Sequence, residues 1–96
     1  MRKFNRKVHK ALELAYNELN NRCAGIEGEA TEQQLREVII PELEGLLEVK
    51  RYNMVPAEKR YLKSFAFAFK VWGWNMNSPT ELFLILNELN SEYKKL

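Results

Sequence analysis

The sequence is poor in the residues from which most catalytic sites are built. Aspartate is absent, so all 13 acidic residues are glutamate, and the 96 residues include one histidine and one cysteine. Catalytic triads and dyads that need aspartate are excluded, and a zinc site of cysteine and histidine has too few ligands. A glycine-rich phosphate-binding loop is missing as well. These absences predict a protein that is not an enzyme and that requires no cofactor or metal.

Long hydrophobic runs are also missing. The longest apolar stretches, residues 65–69 and 82–86, are far shorter than a membrane-spanning helix. The basic N-terminus is not followed by an apolar run of signal-peptide length, and a single unpaired cysteine suits a reducing compartment. We therefore expect a cytoplasmic protein without a membrane span. With 46% hydrophobic and 29% charged residues, the composition is ordinary for one folded domain, expected over residues 1–96.

Charge is distributed in bands, although the formal net charge is only +2. Residues 1–10 carry five cations and no acid, residues 11–50 are rich in glutamate, and residues 51–77 are basic again. Such bands can steer an anionic partner toward the basic segments. The first segment is therefore a candidate anion-binding surface, which comprises Arg2, Lys3, Arg6, Lys7 and Lys10.

The spacing of apolar residues predicts two helices in the first half of the chain. The first, over residues 3–22, combines an apolar stripe with an opposite basic face. The second, over residues 32–50, begins after Thr31, whose side chain and that of Gln34 are spaced to form a capping box. Pro41 disfavours a straight helix at that point, so we expect the segment to be kinked there or split in two.

A third helix is predicted over residues 57–74. Residues 65–72 also alternate between large and small side chains, as a strand would, but the length of the segment favours a helix. A short strand over residues 47–52 competes with the same prediction. The expected fold is therefore an all-α compact bundle of four helices, or five if the chain is split at Pro41. The alternative is an α+β fold with a short hairpin around residues 47–72.

The fourth helix, over residues 79–95, has the strongest start signal in the chain. Ser78 is the expected N-cap, Pro79 the first helical residue, and Glu81 the capping-box partner. Together the four helical stripes predict a hydrophobic core. Its members are Phe4, Val8, Leu12, Leu19, Leu35, Ile39, Leu43, Leu46, Phe65, Phe69, Trp72, Leu82, Leu86 and Leu89.

An aromatic and basic patch on the third helix is the main candidate binding site. If one side of that helix faces the core, three apolar residues project to the other side among three cations. Aromatic side chains and arginine often carry the binding energy of protein interfaces, and aromatics among cations can also stack nucleobases. The alternative is that this helix lies at the bundle centre and buries both faces. The predicted patch consists of Arg60, Lys63, Phe67, Lys70, Val71 and Trp74.

Two hypotheses of function follow from these features. The first is a small non-enzymatic interaction domain, an adaptor or inhibitor that binds another protein through the patch, or self-associates through it as a homodimer. The second is non-specific nucleic-acid binding through the basic N-terminal helix and residues 51–74, with an affinity that falls steeply as salt rises. The near-neutral net charge and the glutamate-rich band argue against the second hypothesis.

Overall fold

Four helices build the part of the chain that a computed structural model describes, namely residues 2–49 and 55–96 without the side chains of Arg2 and Ala57. Helix α1 spans Arg2–Cys23. Helix α2 is continuous and consists of Glu32–Gln34, a π-helical turn at Leu35–Ile39, and Ile40–Glu48. After a 3₁₀ turn at Ala57–Lys59, α3 spans Lys63–Lys70 and α4 spans Glu81–Lys95.

The predicted all-α fold is confirmed. No strand occurs among residues 2–49 and 55–96. The alternative of a hairpin around residues 47–72 is therefore wrong for residues 47–49 and 55–72. Residues 50–54, which the competing strand over residues 47–52 would include in part, lie outside the described chain. The radius of gyration is 13.1 Å, as expected for a folded chain of about 100 residues.

The core lies between α1, α2 and α4, and α3 covers one side of it. Helix α1 packs along α2 and α4, whereas α3 lies against α4 and the π-helical turn of α2. The largest fully buried side chains are Phe4, Val8, Leu35, Ile39, Leu43, Leu62, Ser64, Phe83, Leu86 and Leu89.

Helix α1 has the predicted position and buries part of the predicted stripe. Phe4 and Val8 face the core together with two alanines further along the helix. The loop that follows is held by Arg22, which donates hydrogen bonds to the carbonyls of Ala30 (2.6 Å) and Ile26 (3.2 Å). A Cβ atom at Gly28 would collide with the Arg22 guanidinium, so glycine allows the loop to wrap closely around this side chain.

Helix α2 passes through Pro41 without a break. The capping box at its start is confirmed, because Thr31 and Gln34 exchange backbone-to-side-chain hydrogen bonds of 3.0 and 3.1 Å. Proline cannot donate a hydrogen bond and its ring crowds the preceding turn. The preceding turn is π-helical, with the Ile40 N–H donating to the carbonyl of Leu35 five residues back. A wider turn therefore accommodates the proline, and the predicted split into two helices is wrong.

Helix α3 begins later than predicted because two other elements satisfy the backbone at its start. The carboxylate of Glu42 on α2 accepts hydrogen bonds from the backbone of Lys63 (2.7 Å) and from the backbone (2.8 Å) and hydroxyl of Ser64. The buried side chain of Asn90 on α4 accepts a bond of 2.8 Å from the Leu62 N–H. Glu42 thus acts as the N-terminal cap of a helix to which it does not belong.

Helix α3 also ends earlier than predicted, at Lys70. Gly73 has a φ of +68°, in the left-handed region that glycine adopts most readily. The chain reverses there, and the Trp74 N–H donates to the carbonyl of Ala68 at 3.0 Å. This reversal places the Trp74 side chain in the core.

The N-cap of α4 is Thr80, two residues beyond the predicted Ser78. The Thr80 hydroxyl accepts from the backbone of Phe83 at 3.1 Å, and helical residues begin at Glu81. The Ser78 N–H instead donates to the side chain of Asn75, which forms a turn before the helix. This local bond takes Ser78 out of the helix and overrides the predicted cap.

The predicted core is mostly correct in α1, α2 and α4 and mostly wrong in the segment around α3. Phe69 is exposed, and Phe65 and Trp72 are only partly buried, as are two leucines of α1. The residues of α3 that are buried are Ser64 and Ala68. The two leucines are Leu12 and Leu19.

Candidate functional site

Helix α3 packs on the bundle through its smallest side chains. Ser64 and Ala68, one turn apart, are both fully buried. Since small residues at this spacing let two helices approach closely, the larger side chains of α3 are displaced to its flanks. Phe67 is 40% exposed on one flank and Phe69 is 49% exposed on the other, and Val71 just beyond the helix is also exposed.

Four residues of the predicted patch are exposed and two are not. The prediction that Trp74 belongs to the patch is wrong, because the turn at Gly73 places its side chain in the core, where it is only 4% exposed. Arg60 is half-buried, and its guanidinium donates to the carbonyls of Val55 (2.8 Å) and Leu96, so it holds the chain together at this end of the molecule. The exposed residues of the prediction are Lys63, Phe67, Lys70 and Val71.

Six aromatic rings connect the two flanks of α3 through the core. The series of contacts leads from exposed Phe67 through partly buried and buried rings to exposed Phe69. Ring centroids are between 5.3 and 6.0 Å apart, within the range of favourable aromatic contacts. Each of the two exposed rings therefore packs against a partly buried ring, Phe67 against Trp72 and Phe69 against Phe65. In order, the rings are Phe67, Trp72, Trp74, Phe83, Phe65 and Phe69.

A groove follows α4 beside α3 and is formed by two depressions that adjoin at Phe65. We call it the α3–α4 groove. The first depression, of about 150 Å³, is lined by Phe65, Met76, Pro79, Phe83, Leu84 and Asn87. The second, of about 390 Å³, is lined by Tyr61, Phe65, Ala66, Phe69, Lys70, Asn90 and Lys94. Apolar side chains form most of this surface, two lysines line the second depression, and no glutamate lines either depression within the described chain.

The opposite flank of α3 differs in charge. A depression of about 510 Å³ between α2 and α3 contains Phe67 and Lys63 but also two glutamates. Glu42 caps α3, and Glu37 accepts a hydrogen bond of 3.1 Å from Gln33. This flank is therefore of mixed charge, whereas the α3–α4 groove is apolar and positive.

Ion pairing neutralises part of the positive charge on the basic face of α1. Lys7 forms a hydrogen-bonded ion pair with Glu92 of α4, and Glu88 lies 3.9 Å away. The hydrogen bond to Glu92 raises the pKa of Lys7 above its usual range against the opposing effect of desolvation, and the charges of both glutamates add to the increase. The other described cations of the predicted anion-binding set, Lys3, Arg6 and Lys10, are exposed. Nucleic-acid binding stays a prediction, and Arg51 of its second segment lies outside the described residues.

Apart from Lys70, sequence reasoning missed the residues of the α3–α4 groove. Phe65 and Phe69 are spaced four residues apart, and both were expected to lie in the core. Ser64 and Ala68 have the same spacing, and they mark the face that is in fact buried. The signal for the contact face was therefore the pair of small residues. Phe65 and Phe69 line the open groove, whereas Phe67 lies on the other flank.

The rest of the described chain offers no built chemical site. No cluster of three or more histidine, cysteine or glutamate side chains there could hold a metal ion. The exposed Cys23 thiol contacts Glu32 (3.5 Å) and Arg36 (3.4 Å), and the hydrogen bonds that Arg36 makes to Cys23 and Glu32 raise the pKa of Arg36. None of the described helices combines the length and apolar character needed to cross a membrane.

Comparison of the chain with protein-family models, with curated proteins and with solved structures found no match in any of the three.

Proposed function

We propose that this chain is a non-enzymatic cytoplasmic interaction domain that binds another protein through the exposed surface around α3. The observation that carries the proposal is where the exposed large hydrophobic residues are found. Within the described chain, only Tyr16 and Ile26 are remote from this surface. The residues on or beside α3 are Tyr61, Phe67, Phe69, Val71, Met76 and Leu84. A concentration of this kind is typical of protein-binding surfaces, since scattered single residues are the ordinary case.

The chemistry of this surface supports a protein partner. Phe67 and Phe69 both expose part of an apolar ring. Aromatic side chains of this kind contribute much of the binding energy at protein interfaces. Lys63 and Lys70 lie on the same short helix and are exposed, so they add a polar rim. The absence of aspartate and the scarcity of histidine and cysteine support a non-enzymatic role, and a single cysteine suits the cytoplasm.

Photo-cross-linking in the cells that produce the protein tests this proposal. A photoreactive phenylalanine analogue replaces Phe69 in one variant and Tyr16 in a matched control, because both are aromatic and similarly exposed, at 49% and 43%. We expect a discrete adduct with a second polypeptide from position 69 and none from position 16.

The absence of an adduct from position 69 would overturn the proposal, and so would two other results. One is the same adduct pattern from both positions, which would indicate random collisions. The other is an adduct with nucleic acid in place of a polypeptide, which would favour the second sequence hypothesis. In both variants, helical circular dichroism should match that of the unmodified protein, since neither side chain is buried.

A further inference from the structure

The α3–α4 groove combines an apolar floor with charge of one sign. Phe65 lies where its two depressions meet, and exposed Phe69 and Leu84 lie on its two sides. Lys70 and Lys94 both line the second depression, and neither takes part in an ion pair with a described residue. A segment that fills this groove must supply apolar side chains along its length and negative charge opposite the two lysines.

The length of the groove matches a short helix. Leu84 and Lys94, which line opposite ends, are ten positions apart on α4, or about 15 Å at 1.5 Å per residue. A partner helix of about three turns has this length, and it presents apolar side chains at positions i, i+3 or i+4, and i+7.

We propose that the α3–α4 groove binds an amphipathic helix of a partner protein, with acidic residues of that helix placed at Lys70 and Lys94. This inference rests on the proposed function and specifies the occupant of the same surface. The apolar face of the helix contacts Phe65, Phe69 and Leu84. Its carboxylates neutralise two lysines that the fold itself leaves unneutralised.

A second copy of this chain is a poorer occupant. In a two-fold dimer each copy presents the same surface to the other. Pairing the groove with itself would bring Lys70 and Lys94 of both copies into one interface, with no glutamate in the groove to neutralise them. The same argument favours an acidic helix over a neutral or basic one.

Selection from a displayed library of random peptides, each about 16 residues long, tests this inference on the full chain. We expect enriched peptides to have apolar residues at helical spacing together with aspartate or glutamate. An enriched peptide is then synthesised, and its affinity is measured by fluorescence anisotropy. Enrichment of peptides without acidic residues, or of none at all, would overturn the inference.

Charge reversal at adjacent positions provides a matched control. Lys94→Glu changes a lysine of the groove, whereas Lys95→Glu makes the same change one residue away, outside the groove lining. Both lysines lie in the last turn of α4, so the two variants alter the helix dipole and the net charge similarly. We expect Lys94→Glu to weaken peptide binding about tenfold and Lys95→Glu to change it by less than about twofold. A peptide with its acidic residues replaced by lysine should recover affinity for Lys94→Glu.

The outcomes separate this inference from the proposed function. Equal effects of Lys94→Glu and Lys95→Glu would overturn the groove as the binding site of the peptide. Dimers in sedimentation velocity that Lys94→Glu stabilises would identify a second copy as the occupant and overturn the acidic helix. Either result leaves a polypeptide adduct at position 69 intact, whereas loss of that adduct would overturn the proposed function itself.

Discussion

Helices α1 and α3 are both amphipathic, yet they face the core with opposite kinds of side chain. Helix α1 buries Phe4 and Val8 and exposes charged residues. Helix α3 buries Ser64 and Ala68 and exposes aromatic residues. The first arrangement stabilises the core by removing apolar area from water, and the second leaves that area available for binding. Hydrophobicity therefore identifies the buried face of the long helix correctly and that of the short helix incorrectly.

The difference extends to charge. On α1, Lys7 is paired with Glu92 across to α4, so part of its charged face contributes to the fold. On α3, Lys63 and Lys70 are exposed and take part in no ion pair with a described residue. Helix α1 thus uses its apolar side chains and one of its lysines within the fold, whereas α3 presents lysines and aromatic residues outward.

The largest expected effect concerns the anchor that holds the α3 segment to the core. Trp74→Ala removes a buried indole that contacts Trp72 and Phe83, and should lower the free energy of unfolding by about 3–5 kcal/mol. Val71→Ala, three residues earlier and exposed, should change it by less than about 0.5 kcal/mol. Unfolding in urea, followed by circular dichroism, measures both.

The buried Nε1–H of Trp74 provides a further control, because it has no hydrogen-bond acceptor in the described structure. Trp74→Phe keeps an aromatic ring and removes this unsatisfied donor, so it should lose much less stability than Trp74→Ala. Equal losses in Trp74→Ala and Val71→Ala would contradict the assignment of Trp74 to the core.

A smaller effect should come from the contact face of α3. Ala68→Leu introduces bulk where the helix lies closest to the bundle, and overpacking of this kind costs about 1–3 kcal/mol. Ala66→Leu adds the same atoms at the edge of the α3–α4 groove, where there is space, and should cost less than about 0.5 kcal/mol. If the two variants had equal stability in urea, the small-residue contact described for α3 would be wrong.

The smallest effect belongs to α1. Lys7→Gln removes a half-exposed ion pair and should lower the free energy of unfolding by about 0.2–1 kcal/mol at low salt. Lys10→Gln, which removes an exposed cation of the same helix, serves as the matched control. Unfolding in urea at neutral pH measures the difference between the two variants.

The dependence of this effect on pH follows from the raised pKa of Lys7. Because the folded-state pKa lies above the unfolded-state value, the ion pair stabilises the fold fully below about pH 10. The stabilisation is lost as the pH rises through the folded-state value. The wild type and Lys7→Gln should therefore converge in stability at strongly alkaline pH, and a constant difference across that range would contradict the assignment.

Local sequence signals predicted much of the fold because the interactions behind them are local. The capping box at Thr31 and the apolar stripe of α1 involve residues within one or two helical turns. Where a second local interaction competed with the predicted one, the structure differs from the prediction. Pro41 required a wider turn and not a break, and Asn75 displaced the cap of α4 from Ser78 to Thr80.

The candidate site was predicted only in part because distant residues determine it. The start of α3 depends on Glu42 and Asn90, which lie on other helices. The spacing of apolar residues within residues 57–74 cannot reveal these contacts. The exposure of Phe67 and Val71 was predicted, but the burial of Trp74 depends on the reversal at Gly73. Which face of α3 is buried follows from the fit to its neighbours, and this could not be derived from the hydrophobicity of α3 alone.

The cap that α2 provides for α3 has a consequence for how binding and folding are coupled. A helix of eight residues is too short to be stable by itself, and α3 has its first N–H groups satisfied by Glu42 and the residue before it held by Asn90. The proposed binding surface therefore exists only when α2 and α4 have assembled. A ligand of this surface binds the native state and not the unfolded chain, so its binding energy appears as an increase in the stability of the whole protein.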